Sequence, residues 1–202
     1  MKRAAKRIGI FGGSFDPPHL GHLVIAELAC RELKLDVVYL VPAYLPPHKI
    51  GISQTTPADR LAMTRLAVRN VRQLAVSDAE LRRKGVSYTV DTVRTFRRRF
   101  PKAELFLIIG SDSLMQFHSW KSPQRILKEV SLAVYRRPGW ARHKTKHAAG
   151  EVLWLHGPIM RVSSTEIRSR VARGKPIHDL VRRNVSDFIM RRGLYRPKES
   201  PR

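Results

Sequence analysis

The sequence predicts an α/β protein: a doubly wound, mainly parallel sheet with helices on both faces and a small C-terminal helical extension. Three observations carry that reading. Apolar β-rich runs alternate with helix-period segments along the chain, which favours parallel strands joined by right-handed crossovers. The strand candidates "DVVYLVP" (36–42) and "ELFLIIG" (104–110) are almost continuously apolar, as strands covered on both faces are. No internal repeat or low-complexity linker divides the 202 residues, and 43% apolar content is enough for a core.

Taken in order, "RIGIF" (7–11) is a short β-rich run, followed after a turn by "LGHLVIAELACREL" (20–33) with helical periodicity. The second strand is "DVVYLVP", and "AYLPPHKIGISQTTP" (43–57) is a long loop. "ADRLAMTRLAVRN" (58–70) is a helix with Thr56 as N-cap and Pro57 at its first position. "QLAVSD" (73–78) offers a third strand and "TVDTVRTFRRRF" (89–100) another helix. "ELFLIIG" is the clearest strand, and "SDSLMQF" after it begins as a helix does. "SLAVYRRPG" (131–139) and "EVLWLH" (151–156) are strands, and "SSTEIRSRVARG" (163–174) is a helix ending in glycine. From Pro176 the chain reads as one or two short helices. The expected organisation is a basic N-terminal arm (1–6), one domain over 7–196 that includes a helical extension (176–196), and a basic tail (197–202).

Composition narrows the function. One cysteine, Cys30, allows no internal disulfide, the N-terminus lacks the apolar stretch of a signal peptide, and no apolar run approaches the roughly 18 residues of a membrane span. These features read as a soluble, cytoplasmic protein without membrane contact. The formal charge of +23 attracts polyanions. It is clustered in "RTFRRRF" (94–100), "LVRRNV" (180–185) and "IMRRGLYRPK" (189–198), which are expected to be solvated helix faces rather than a nucleic-acid or membrane-surface patch.

The first strand-to-helix junction, "GGSFDPPHLGH" (12–22), carries the chemistry. In a doubly wound sheet, ligands bind beyond the carboxyl ends of the strands, where loops meet helix N-termini. Gly12 and Gly13 leave the backbone free to turn sharply and to approach a ligand. Pro17 and Pro18 hold back the helix until about His19 or Leu20. His19 and His22 are three residues apart, so both rings can point to one side of the first helical turn. Two imidazoles, exposed N–H groups and a positive helix end make an anion site. A zinc site using His19, His22 and Asp16 lacks a further partner at metal spacing, and the dinucleotide fingerprint and the lysine phosphate loop are both absent. A glycine turn with hydrogen-bonded structural histidines is the plain alternative. Downstream, "VSSTEIRSR" (162–170) offers Ser163 or Ser164 as a helix cap, Thr165 in the first turn and Arg168 about one turn on. Hydroxyls, backbone donors and a guanidinium can cradle phosphate oxygens, although Ser163 with Glu166 is also an ordinary capping box.

"GGSFDPPHLGH" together with "SSTEIR" resembles the nucleotidylyltransferase superfamily, whose H-x-G-H signature is met by His19, Leu20, Gly21 and His22. "LPPHK" (45–49), "VSYTVDT" (86–92), "IIGSDSLMQFHSW" (108–120), "YRRPG" (135–139) and "GLYR" (193–196) extend the likeness over 7–196 to the bacterial nicotinate mononucleotide adenylyltransferases. The resemblance implies a Rossmann-like fold and transfer of the adenylyl group of ATP, accompanied by Mg²⁺, to nicotinate mononucleotide. It implies His19, His22 and Arg168 as catalytic residues, with Gly12, Gly13, Ser14 and Phe15 around the reacting phosphates. Ser164 and Thr165 would hold the β and γ phosphates, and Gly110 and Asp112 the adenosine side. The nicotinate nucleotide would lie toward His48, Lys49, Tyr88, Thr89, Trp120 and Arg137, with no metal held by protein side chains alone. On the residues themselves, Trp120 also reads as a core aromatic and Asp112 as a helix cap. Nicotinamide mononucleotide, another phosphate-bearing acceptor and a basic nucleic-acid-binding module are the competing readings. Nucleic-acid contact is not expected, and a homo-oligomer is compatible with the sequence. The charge exceeds what two nucleotides require, leaving solubility, substrate steering or loose association with nucleic acid to account for it.

Overall fold

A computed structural model describes residues 5–47, 55–136, 152–158 and 160–197. His48, Lys49, Arg137, the basic loop 139–150 and most of the basic tail lie outside the described residues. The chain runs β1 (Arg7–Gly13), α1 (Leu20–Glu32), β2 (Val37–Pro42), α2 (Pro57–Val68), β3 (Leu74–Val76), α3 (Ala79–Arg83), α4 (Thr89–Arg99) and β4 (Glu104–Gly110). It continues through α5 (Ser111–Met115), a 3-10 turn (Phe117–Ser119), α6 (Pro123–Leu127), β5 (Ser131–Tyr135), β6 (Val152–Leu155), α7 (Ser164–Ala172) and α8 (Arg183–Arg191).

Six strands form one sheet in the order β3-β2-β1-β4-β5-β6, and every adjacent pair is parallel. The near-continuous apolar runs are explained by their two faces. In β4, Leu105, Leu107 and Ile109 enter one core cluster while Phe106 and Ile108 enter the other. In β5, Leu132 and Val134 divide from Ala133 and Tyr135 in the same way. This two-residue alternation places α1, α2, α7 and α8 over one face and α4, α5 and α6 over the other. No helix among the described residues is long and apolar enough to cross a membrane.

Local chemistry sets the helix starts. The Thr56 hydroxyl accepts the Asp59 N–H at 3.1 Å with Pro57 in the first turn, as the sequence predicts for α2. At α7, Ser163 is the cap, accepting the Glu166 N–H at 3.1 Å. The expected turn at Gly12 and Gly13 is corrected: both finish β1, paired with Val41 and Pro42. The left-handed residue of this junction is Phe15, at φ 49°. An aromatic residue there costs about 1–3 kcal/mol. The conformation is held because the ring is 1% exposed, packed edge-on against Phe11 at 5.8 Å and His22 at 5.0 Å. Sequence reading did not anticipate α3 and α6, two helices of five residues each that are too short to show a period.

Candidate active site

The strand order reverses between β1 and β4, so the segments leaving their carboxyl ends diverge and open a crevice there. Helix α1 begins at the β1 side and α5 at the β4 side, with His19 and Gly110 as their N-caps. The crevice holds a cavity of about 460 Å³, lined by His19, Gly21, His22, Asp112, Tyr135 and the segment 160–163 among others.

His19 and His22 are stacked, with ring centroids 3.6 Å apart and planes inclined by 25°. The His19 backbone N–H donates to Nδ1 of His22 at 3.1 Å. An acceptor nitrogen carries no proton, so neutral His22 is the Nε2–H tautomer and presents a donor at its far edge. Gly21 is required by space: a Cβ there would lie 2.8 Å from Cγ1 of Val162 and 3.1 Å from Nδ1 of His19. At Gly12 a Cβ would meet nothing within 4 Å, so the backbone faces open space.

The two anion motifs, 147 positions apart, meet. The Ser164 hydroxyl donates to the Pro17 carbonyl at 2.9 Å, and Nη1 of Arg168 donates to the Asp16 carbonyl at 2.8 Å. Nη2 of the same arginine donates to the Thr165 hydroxyl at 3.2 Å. The start of α7 is thereby fixed beside the loop that leads into α1; the first turn of α1 and the α7 cap Ser163 line the cavity, while Ser164, Thr165 and Arg168 lie beside it, bonded to that loop and to one another.

Behind that loop lies a buried polar hub that sequence reading missed. Oδ1 of Asp16 accepts the Thr55 hydroxyl at 2.6 Å and the Tyr195 hydroxyl at 2.7 Å. Arg60, 1% exposed, donates to the carbonyls of Ser14 (3.0 Å), Tyr44 (2.9 Å), Thr55 (3.3 Å) and Ala43. One guanidinium therefore holds both the loop that leads into α1 and the two ends of the 43–56 loop. Burial pulls the Arg60 guanidinium below its ordinary value, opposed by the Asp16 charge. Burial and Asp16 together push the Tyr195 phenol up. The signal for Arg60 was present, since it occupies the same stripe of α2 as the buried Met63, Thr64 and Ala67. Tyr195 sits in the quoted "GLYR", and nothing local announces that it reaches back 179 positions.

On the other side of the crevice, the segments "LPPHK" and "VSYT" are joined where Leu45 bridges Val86 and the Ser87 hydroxyl accepts the Tyr44 N–H at 2.9 Å. Nζ of Lys121 lies 4.1 Å from the Tyr88 ring centroid, which brings the Trp120 segment to the start of α4. Trp120 packs against Phe117 at 5.1 Å and is half-buried against the core, as its core reading expected. Thr89 is the first residue of α4. Ser87 and Thr92 also hydrogen-bond Glu80, whose carboxyl is pushed above its ordinary value by burial. From "YRRPG" the structure brings Tyr135 to the cavity, where its hydroxyl donates to the Pro158 carbonyl and accepts the Met160 N–H at 3.2 Å.

Donors dominate this crevice: imidazoles, hydroxyls, a guanidinium and helix N-termini. Among the described residues there is no group of three or more His, Cys, Asp or Glu side chains able to hold a metal ion. Such donors suit an anionic ligand, beside the Asp112 carboxylate in the same lining.

The chain was compared with known proteins. Residues 10–170 match the family model described as cytidylyltransferase-like. A protein of Exiguobacterium sibiricum named a probable nicotinate-nucleotide adenylyltransferase is 43% identical over 189 residues, spanning 94% of this chain and 98% of the relative. One of the same name from Neisseria meningitidis serogroup B is 43% identical over 200 residues, with the same coverage of both chains. The structure of a Plasmodium falciparum nicotinic acid mononucleotide adenylyltransferase complexed with NaAD superposes with a TM-score of 0.79 at 19% identity, covering 94% of this chain and 97% of that one. That likeness concerns the fold alone.

Proposed function

The chain belongs to the cytidylyltransferase-like family and, within it, to the nicotinate-nucleotide adenylyltransferases, and from that membership we propose that it joins ATP and nicotinate mononucleotide. The products are nicotinate adenine dinucleotide and pyrophosphate, a step in the biosynthesis of NAD. The observation that carries the reading is the meeting of two anion motifs at one crevice, the stacked His19–His22 pair on α1 and the Ser164–Arg168 turn of α7.

A phosphate monoester is mostly a dianion at neutral pH, since its second pKa is about 6. It therefore needs no base to make it a nucleophile. A phosphate oxygen of nicotinate mononucleotide attacks the α-phosphorus of ATP in line. The new P–O bond forms as the bond to the bridging oxygen breaks, and pyrophosphate leaves with that electron pair. The protein's task is to align two polyanions and to stabilise the charge that builds on the phosphoryl oxygens. We assign that stabilisation to His19, His22 and Arg168. The backbone from Gly12 to Phe15 approaches the reacting phosphates, and Ser164 and Thr165 hold the β and γ phosphates. Gly110 and Asp112 take the adenosine side, in the cavity of about 460 Å³. The nicotinate nucleotide lies toward Tyr88, Thr89 and Trp120, together with His48, Lys49 and Arg137. ATP brings Mg²⁺ as part of the substrate, because a donor-rich crevice suits the phosphates and leaves the cation to the phosphate oxygens and water.

Residues 7–196 act as one catalytic domain in this reading, since Tyr195 in the helical extension closes the hub at Asp16. We assign the enzyme to the cytoplasm, where the one buried thiol, Cys30, stays reduced.

The test is pyrophosphate release from ATP and Mg²⁺ by the full chain, with nicotinate mononucleotide and nicotinamide mononucleotide supplied separately. Release is expected only with a mononucleotide present and preferentially with the acid. Absence of turnover with either overturns the proposal, and a preference for the amide overturns its choice of acceptor.

A further inference from the structure

The cluster "RTFRRRF" is left unused by the reaction, and the structure gives it a partner element. Helices α4 and α6 pack against each other across the sheet from α1. Between them lies a second cavity, of about 330 Å³, with Val90 and Val93 in its lining. One wall carries Arg94, Arg97 and Arg98 of α4. The other carries Arg125 of α6 with Lys128 and Glu129 just after it. Five cations thus surround a single carboxylate.

That carboxylate is already engaged. Glu129 accepts from Nε of Arg97 at 2.8 Å, and Arg97 also donates to the carbonyls of Glu129 and Ala103, each at 2.8 Å. Arg97 therefore ties the two walls together. Arg94 has Asp91 at 3.6 Å, an exposed pair of little energetic consequence. Arg98, Arg125 and Lys128 have no carboxylate within 4.0 Å among the described residues.

The spacing sets like charges beside one another. Arg94 and Arg98 are four residues apart on one helix, and Arg125 and Lys128 are three apart on the facing wall, so like charges are neighbours along each wall and across the cavity. Arg94, Arg98, Arg125 and Lys128 are exposed, as a solvated face is, and they line one cavity together. The other members of the cluster point elsewhere. Arg99 lies over the rings of Phe100 (5.1 Å) and Tyr39 (5.7 Å), and Phe96 is buried in the core.

We propose that the α4–α6 cavity is a binding site for a short polyphosphate chain, either free or carried by a nucleotide, distinct from the catalytic crevice. Convergent guanidinium and ammonium groups match closely spaced phosphate oxygens. Among the described residues no aromatic ring lines the cavity, so they offer no stacking platform for single-stranded bases. A cavity of about 330 Å³ suits a compact anion, whereas a duplex backbone is tracked by an extended stripe.

The experiment titrates the full chain with sodium tripolyphosphate by calorimetry, with nicotinate adenine dinucleotide, which has no terminal polyphosphate chain, saturating the catalytic crevice. The same titration is run on R98Q/K128Q, which alters both walls, and, independently, on R125Q. All three side chains are exposed, so folding is not at risk. Tripolyphosphate is expected to bind the wild type, and each variant to lose about tenfold in affinity while pyrophosphate release in the catalytic assay is unchanged. Replacing tripolyphosphate with a nucleoside tetraphosphate distinguishes the free from the nucleotide-borne source. Equal affinity in wild type and variants overturns the site, as does loss of all binding once the dinucleotide is present. A 20-base-pair duplex that binds the wild type more tightly than tripolyphosphate, and loses that binding in the variants, replaces the proposal with a nucleic-acid surface. Because turnover is measured separately, failure here leaves the proposed reaction standing.

Discussion

Single residues divide into those whose chemistry is local and those whose role depends on distant partners. His19 and His22 are of the first kind: a three-residue spacing at a helix start already placed both rings on one side, and they lie 3.6 Å apart. Replacing either with alanine should lower kcat by about 10²–10³, the effect of removing one preorganised transition-state donor. Thermal denaturation of the same variants should move little. A parallel collapse of stability and rate would make the pair structural. Glu80 is of the second kind, because nothing near "DAELRR" shows that its carboxyl ends up buried beside Thr92 and Ser87. Burial raises its pKa above the ordinary 4.5, opposed by the hydrogen bonds from Ser87 and Thr92. A raised folded value means that the unfolded chain releases the proton first as pH climbs. The contribution to stability is therefore complete below about pH 4.5 and is lost as pH rises through the folded value. Glu80→Gln keeps an acceptor for the Thr92 hydroxyl and cannot ionise. Its Tm should match the wild type near pH 4 and exceed it by a few degrees at pH 7. A constant difference across that range would remove Glu80 from the titration.

Elements with an apolar run or a recognisable start were legible, and two short helices without either were not. The bounds of β4 and the cap of α2 follow from an apolar run and a Thr-Pro start. The three-residue β3 was read from the apolar run "QLAVSD", whereas the five-residue α3 and α6 have no such signal. The end of β1 was misread for a physical reason: glycines were given the turn because they tolerate any backbone, while the left-handed position went to Phe15, which is held by burial of its ring. The C-terminal extension was legible as helix but not as part of the site. Helix α8 packs on α2, with Val185 and Ile189 fully buried, and the following turn delivers Tyr195 to Asp16. Ile189→Ala should cost about 2–5 kcal/mol in urea denaturation, the range for a buried aliphatic truncation. Tyr195→Phe removes one hydrogen bond to a buried carboxylate and leaves the bond from Thr55. It should cost about 1–3 kcal/mol and reduce kcat/KM, because Asp16 supports the loop before His19. If Ile189→Ala loses stability while Tyr195→Phe alters neither property, the extension contributes packing alone.

At the scale of the whole molecule the sheet order was readable as a class, and its consequence, a crevice between β1 and β4, follows from parallel strands that turn away in opposite directions. Charge is different, because +23 is a sum and a sum does not say where the field acts. The substrates of the proposed reaction are all phosphate anions, so a net positive field raises their concentration at the surface before any contact forms. Such a field is felt only within the screening length, about 30 Å at 0.01 M salt and about 10 Å at 0.1 M. Groups that touch the phosphates inside the crevice are screened much less. Raising KCl from about 0.01 to 0.3 M should therefore lower kcat/KM for both substrates several-fold through KM, while kcat stays nearly constant. R98Q/K128Q, altered across the sheet from the histidines, should show nearly the same salt dependence as the wild type. A kcat/KM that ignores salt would mean that the crevice alone recruits its substrates and that the net charge serves another purpose. A salt dependence abolished in R98Q/K128Q would place the steering field at the α4–α6 cavity.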